Sequence, residues 1–196
     1  MGFSELKGLS FVRFLQEKLI ISLALLFVIN LSTICFSYSQ SSEINEYGLP
    51  DFKLTGLDGD QIQNKDLIGK VVVIDFWATW CAPCIKSFPA MIEVQNSFAS
   101  NENVIFLYVN TLEFEGRDEE FIMRFLEKKG IDVTVYLDQA KSNSELLSER
   151  LGISTLPYKM IIDKSGVIRY SETGYLGSHD EFINDLQDKI NSLLEL

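Results

Sequence analysis

From Val71 to Phe76 the chain reads Val-Val-Val-Ile-Asp-Phe, preceded by Gly69 and followed by Trp77. A strand with one wet face alternates apolar and polar residues, whereas a nearly unbroken β-branched and aromatic run belongs to a strand covered on both faces. The run is therefore expected in the middle of a sheet. After it, Cys84, Phe88, Met91, Ile92, Gln95 and Phe98 keep helical spacing, and Val104 to Val109 returns as a second buried strand. Strand, helix and strand in that order form a βαβ unit with a right-handed crossover.

The flanking pattern extends this core. Phe52-Lys53-Leu54-Thr55 alternates, Asp58-Gly59 supplies a turn, and Gln61-Ile62-Gln63 alternates again, which predicts an opening β-hairpin. Beyond Val109 comes a helix with Phe121, Ile122, Phe125 and Leu126 that stops at Gly130, then a short strand around Val133 to Leu137. A short helix carrying Leu146, Leu147 and Leu151 follows, opened by a Ser142-x-x-Glu145 capping box. Tyr158 to Ile162, the turn Asp163 to Gly166 and Val167 to Ser171 read as a second hairpin, and Ser178-x-x-Glu181 caps a last helix with Phe182, Ile183, Leu186, Ile190 and Leu193 on one face. The fold class is α/β.

The first forty residues differ in kind. Lys7, Arg13 and Lys18 precede the apolar run Leu19 to Ile29, and no charge appears from Leu19 until Glu43. Residues 1–39 are therefore expected to be an export segment. Small residues at Ser37 and Ser39 suit cleavage before Gln40, while the uncharged span to Ser42 is also long enough for a membrane anchor. Cys35 follows Ile34, not the small residue of a lipobox, and is expected to be an ordinary thiol. Residues 40–50 read as a polar linker ending at Pro50, and residues 51–196 as one domain, exported to the periplasm or cell envelope.

Composition narrows the chemistry. A chain of 196 residues with 46% hydrophobic side chains buries a core and is not disordered. Its 28 acidic against 17 basic residues, net −11, argue against nucleic acid as a partner. Three cysteines and one histidine cannot complete a four-ligand Cys/His zinc site unless the distant Cys35 takes part, so no metal or cofactor is expected. The acidic run Glu113, Glu115, Asp118, Glu119, Glu120 reads as a solvated loop and helix start, and His179, in the first turn of the last helix, as a surface residue.

The chemistry concentrates in Trp80-Cys81-Ala82-Pro83-Cys84, where the buried strand runs into a helix. Two residues between the sulfurs let a disulfide close, and a helix N-terminus beside Cys81 offers free N–H groups and partial positive charge to its thiolate. Cys81 is thus the expected nucleophile and Cys84 the resolving thiol, with a structural staple or half a metal site as the bland alternative. A c-type haem would need histidine where Ile85 stands.

The run Ile74-Asp75-Phe76-Trp77-Ala78-Thr79-Trp80-Cys81-Ala82-Pro83-Cys84 resembles the active-site segment of thioredoxins, and the lead-in Gly69-Lys70-Val71-Val72-Val73 narrows the resemblance to exported TlpA/ResA-type thiol-disulfide oxidoreductases. It spans about residues 49 to 196, taking in Pro89 inside the active-site helix and Thr155-Leu156-Pro157 before a strand. It implies a thioredoxin fold with an N-terminal β-hairpin and a central strand-helix insertion around residues 131 to 151. It also implies a cis-proline at Pro157, a proton-accepting role toward Cys84 for Asp75, and a partner groove at Trp80, Ala82, Pro83, Thr155, Leu156 and Tyr158. Trp77 is expected in the core.

The implied activity is thiol-disulfide exchange, in this family usually reductive. Its partners are disulfide-bonded or dithiol proteins such as apocytochrome c and a membrane thiol-electron donor, and the protein is expected to be a monomer. This sequence departs from the family twice. Ser87 stands where many members carry glutamate, and the lysine that partners the buried aspartate in thioredoxins would fall near Tyr108. Two other readings remain: a copper(I) metallochaperone using both thiolates, although histidine and methionine donors are not nearby, and a peroxiredoxin-like thiol peroxidase, although residues 74 to 81 lack its proline and threonine spacing.

Overall fold

The computed structural model describes residues 48–139 and 146–196. Strands β1 (Lys53–Gly56) and β2 (Gln61–Gln63) form the opening hairpin, with Leu54 opposite Ile62. Both are buried, so the alternation of this short pair puts one apolar row against the core. A single 3₁₀ turn, Asn64–Leu67, leads to β3 (Val71–Trp77), every residue of which is buried.

Strand β3 is followed by α1 (Ala82–Ser97), β4 (Val104–Asn110), α2 (Glu119–Lys129), β5 (Val135–Leu137), α3 (Leu147–Arg150), β6 (Tyr158–Ile162), β7 (Ile168–Thr173) and α4 (His179–Leu194). The seven strands make one mixed sheet in the order β2-β1-β5-β4-β3-β6-β7. Strands β3, β4 and β5 are mutually parallel neighbours, and β6 runs antiparallel to β3. Two right-handed crossovers that step the same way along a sheet leave their helices on the same face. Trp77 accordingly meets both helices, edge-on to Phe88 of α1 at 5.1 Å and stacked on Phe125 of α2 at 6.5 Å.

Helix ends follow local chemistry. The Asp118 carboxylate accepts the Phe121 N–H at the start of α2, and Gly130 closes that helix at φ 66°, a left-handed conformation that favours glycine. Ser178 and Glu181 form the expected reciprocal cap on α4. That helix buries Phe182, Ile183, Leu186, Ile190 and Leu193, each worth about 2 kcal/mol of apolar burial.

The strand-helix insertion is present as β5, seated between β1 and β4, followed by α3. Ser142 and Glu145, the expected capping pair of α3, lie outside the described residues. The cap itself comes from the end of β5, where the Asp138 carboxylate accepts the N–H groups of Leu147 at 2.6 Å and Ser148 at 2.9 Å. Thr111 donates its hydroxyl to the same carboxylate at 2.8 Å. A side chain from the end of β5 thus satisfies two donors in the first turn of α3.

Candidate active site

Helix α1 begins where β3 ends, so the carboxyl end of the sheet delivers the Cys-x-x-Cys segment to a helix N-terminus. Cys81 is the N-cap, Pro83 lies in the first turn where a missing N–H costs no helical bond, and Cys84 is one turn in. The two cysteines form a disulfide with Cα atoms 5.2 Å apart. Cys81 Sγ also accepts the Cys84 N–H at 3.2 Å. An orphan helix donor aimed at Cys81 sulfur stabilises negative charge there after reduction, which distinguishes it from Cys84.

Ala82 and Pro83 are exposed, whereas Cys81 is only 2% exposed and Cys84 fully buried. Trp80 is 40% exposed beside them, and its indole N–H donates to the Leu112 carbonyl at 2.8 Å. The Leu156–Pro157 peptide bond is cis. Thr155 is exposed, Leu156 and Pro157 are buried, and Tyr158 is half-buried with its ring edge-on to Phe76. Trp77 is fully buried, and His179 is exposed with Nε2 3.1 Å from Glu93 Oε2.

Position 87 carries no acid, and the structure shows what takes its place. Ser87 is buried and donates its hydroxyl to the Cys84 carbonyl at 2.8 Å. Pro89, farther along α1, lacks the N–H that Ile85 would otherwise receive.

Asp75 is fully buried, and neither carboxylate oxygen accepts a hydrogen bond. Burial pushes its carboxyl up to about 6, opposed by the positive charge of Lys159. Lys159 lies directly opposite on β6, with Nζ 3.7 Å from Asp75 Oδ1. The resemblance places the partner lysine near Tyr108, where this sequence has no cation. Tyr108 is indeed the β4 neighbour of Asp75, but its hydroxyl goes to Gln95, and burial together with the Asp75 charge holds its proton far more tightly than usual. The missed signal was the single charge in Tyr-Lys-Met-Ile-Ile, which becomes informative once β6 is placed beside β3.

Glu113 does not belong to a solvated acidic loop: its side chain is 11% exposed and accepts hydrogen bonds from the Thr79 N–H, the Thr79 hydroxyl and the Asn110 amide. Arg117 donates to the Thr79 hydroxyl at 2.6 Å, and its guanidinium lies over the ring of Phe114. Phe114 in turn sits 5.6 Å from Trp80, ring to ring, and is 58% exposed. The loop after β4 is thereby fastened to the residues just before Cys81. The remaining acids of the run, Glu115, Asp118, Glu119 and Glu120, are exposed as expected.

The redoxin family profile matches residues 45–186. The chain belongs to the redoxin family. This redoxin is 30% identical over 131 residues to the thiol-disulfide oxidoreductase ResA of Geobacillus thermodenitrificans, covering 67% of this chain and 70% of the relative. With ResA of Bacillus subtilis it shares 31% identity over 125 residues, covering 64% and 65% respectively. A crystal structure described as the thiol:disulfide interchange protein DsbE of Chlorobium tepidum superimposes with TM-score 0.59 at 27% identity, covering 74% of this chain and 94% of that one. The fold is thioredoxin-like, and the redoxin is a thiol-disulfide oxidoreductase of the ResA type.

Proposed function

We propose that this redoxin reduces disulfides in proteins of the cell envelope through the Cys81–Cys84 pair. The observation that carries the reading is the pair itself: a closed disulfide at a helix N-terminus, with Cys81 sulfur already accepting a helix N–H. In the reduced protein the Cys81 thiolate attacks a substrate disulfide, forming a Cys81–substrate mixed disulfide and releasing the first substrate sulfur as a thiolate that takes up a proton. Cys84 loses its proton to Asp75 and attacks Cys81 sulfur. The mixed disulfide breaks, the electron pair leaves with the second substrate sulfur, and the intramolecular disulfide closes. A thiol donor at the membrane reopens it for the next turnover.

The reducing direction, a substrate such as apocytochrome c and the envelope setting belong to this proposal. They rest on the resemblance to exported reductases and on the export segment read in residues 1–39, with residues 40–50 as linker and 51–196 as the working domain. Among the described residues no helix is long and apolar enough to cross a membrane. Trp80 and Phe114 form the exposed apolar surface that meets a partner beside Cys81, and Ala82, Pro83, Thr155 and the backbone at Leu156 and Pro157 complete the contact.

Two measurements test the reading. Cys84→Ser is expected to trap envelope proteins as mixed disulfides on Cys81, and Cys81→Ser to trap none. A glutathione redox titration followed by tryptophan fluorescence is expected to show one two-electron transition near the thioredoxin range, roughly −270 mV. A potential near that of DsbA, about −120 mV, overturns the reducing direction, and the absence of a transition overturns the exchange reading altogether.

A further inference from the structure

Asp75 and Lys159 are registered partners across the β3–β6 ladder, both on otherwise apolar strands. Their side chains are 0% and 4% exposed, and the Nζ–Oδ1 separation is 3.7 Å. An isolated carboxylate in such surroundings would surrender its charge, because transfer from water is far too costly without a partner. The groups that bear on Asp75 come from both neighbouring strands and from the helices packed on that face. Strand β4 offers Tyr108, whose hydroxyl is committed to Gln95. Helix α1 carries the cysteine pair, and α4 brings the ring of Phe182, 5.2 Å from the Lys159 ammonium, together with Asp185, which lines the same small cavity as Lys159 and its β7 register partner Glu172; both of these acids are engaged by Lys189. Lys159 is therefore the one cation beside this carboxylate among the described residues.

The same lysine reaches the loop that flanks the proline. Its ammonium donates to the Gly174 carbonyl at 3.3 Å, and the Gly174 N–H donates to the Pro157 carbonyl at 2.8 Å. Pro157 stands two residues before Lys159 on the same chain, so one side chain joins the buried acid to the backbone beside the substrate contact.

We propose that Lys159 is the positioning residue of the proton step: delivered from β6, where the family resemblance places no cation, it keeps Asp75 able to ionise and so to accept the Cys84 proton. This rests on the proton-accepting role of Asp75. Without the ammonium, Asp75 holds its proton through the working range, and Cys84 resolves the mixed disulfide only at higher pH. The β6 position also explains how the site tolerates Tyr108: the charge that is missing on one side of β3 is supplied from the other.

The test uses the whole chain with carbon-13 in the aspartate carboxyls. Lys159→Met and Lys159→Gln are each expected to raise the Asp75 titration midpoint by a unit or more, about a tenfold gain in proton affinity, and Lys159→Arg to restore it. The rate at which Cys84 resolves a Cys81–peptide mixed disulfide should shift its pH midpoint by the same amount. In an Asp75→Asn background, adding Lys159→Met should shift nothing further. An Asp75 midpoint that ignores both neutral substitutions overturns the inference, as does a resolution shift that persists in the Asp75→Asn background. If Asp75→Asn leaves the wild-type resolution profile intact while the carboxyl titration still follows Lys159, the proton-accepting role has failed, and the pair is structural.

Discussion

Glu113 grips Thr79 twice, accepting its backbone N–H at 2.5 Å and its hydroxyl at 2.8 Å. The contact ties the loop after β4 to the last turn of chain before Cys81. Because the Thr79 N–H, the Thr79 hydroxyl and the Asn110 amide all donate to this carboxylate, its loss strands three donors in a half-buried place. Glu113→Ala is expected to destabilise the protein by about 2 kcal/mol in urea unfolding and to slow disulfide exchange several-fold. Glu113→Gln, which keeps one acceptor oxygen, should recover part of both. Unchanged stability and rate in the alanine variant would sink the fastening role.

The Asp75–Lys159 pair gives stability a pH signature. Burial raises the Asp75 carboxyl from 3.8 to about 6, so the native state holds this proton more tightly than the unfolded chain does. The stability it contributes is fully present below 3.8 and is lost as pH rises through 6. In Lys159→Met the carboxylate loses its partner, and at pH 8 the variant should be less stable than wild type by about 1.4 kcal/mol or more, the equivalent of a unit rise in the Asp75 midpoint. At pH 4 Asp75 is neutral in both, and the variant, freed of a buried lysine, should match or exceed wild type. Denaturation at the two pH values measures this, and an equal deficit at both would contradict it.

Asp138 holds the insertion in place by accepting from Leu147, Ser148 and Thr111, all in a buried setting. Asp138→Ala leaves three donors without an acceptor and should cost about 3 kcal/mol. Hydrogen exchange at residues 147–151 should accelerate beyond the global change. Protection that falls uniformly across the domain would instead mean that α3 and the core open as one unit.

Phe114 extends the exposed surface beside Trp80. Phe114→Ala should therefore lower kcat/KM several-fold for a protein disulfide, through lost apolar contact, and leave the rate with glutathione disulfide unchanged. Equal loss with both substrates would show that the ring acts on the site's geometry.

The sequence reading succeeds where the signal is local. The nearly unbroken run Val71 to Trp77 marks an interior strand, Cys81 and Cys84 mark the disulfide pair by spacing and placement, and Ser178 with Glu181 marks a helix start. It stops where meaning depends on a partner distant in sequence. Lys159 is an odd charge in a strand until register sets it against Asp75. Glu113 resembles its exposed acidic neighbours until the loop folds back on Thr79. Asp138 reaches two N–H groups at the start of α3 from the end of β5, which no pattern within the helix itself could indicate. In each case the missing information is a pairing between elements, and side-chain types along one segment do not encode it.

The sheet order carries a consequence for assembly. Strand β1 is joined to β2 and to β5, and its contact with the rest of the sheet runs through Thr55 opposite Leu137 and Gly56 opposite Tyr136. The hairpin precedes the parallel core in the chain yet has no place to dock until β5 has been laid down beside β4. A chain that emerges amino end first therefore presents this hairpin early and seats it late, and the insertion serves as the berth that finally receives it.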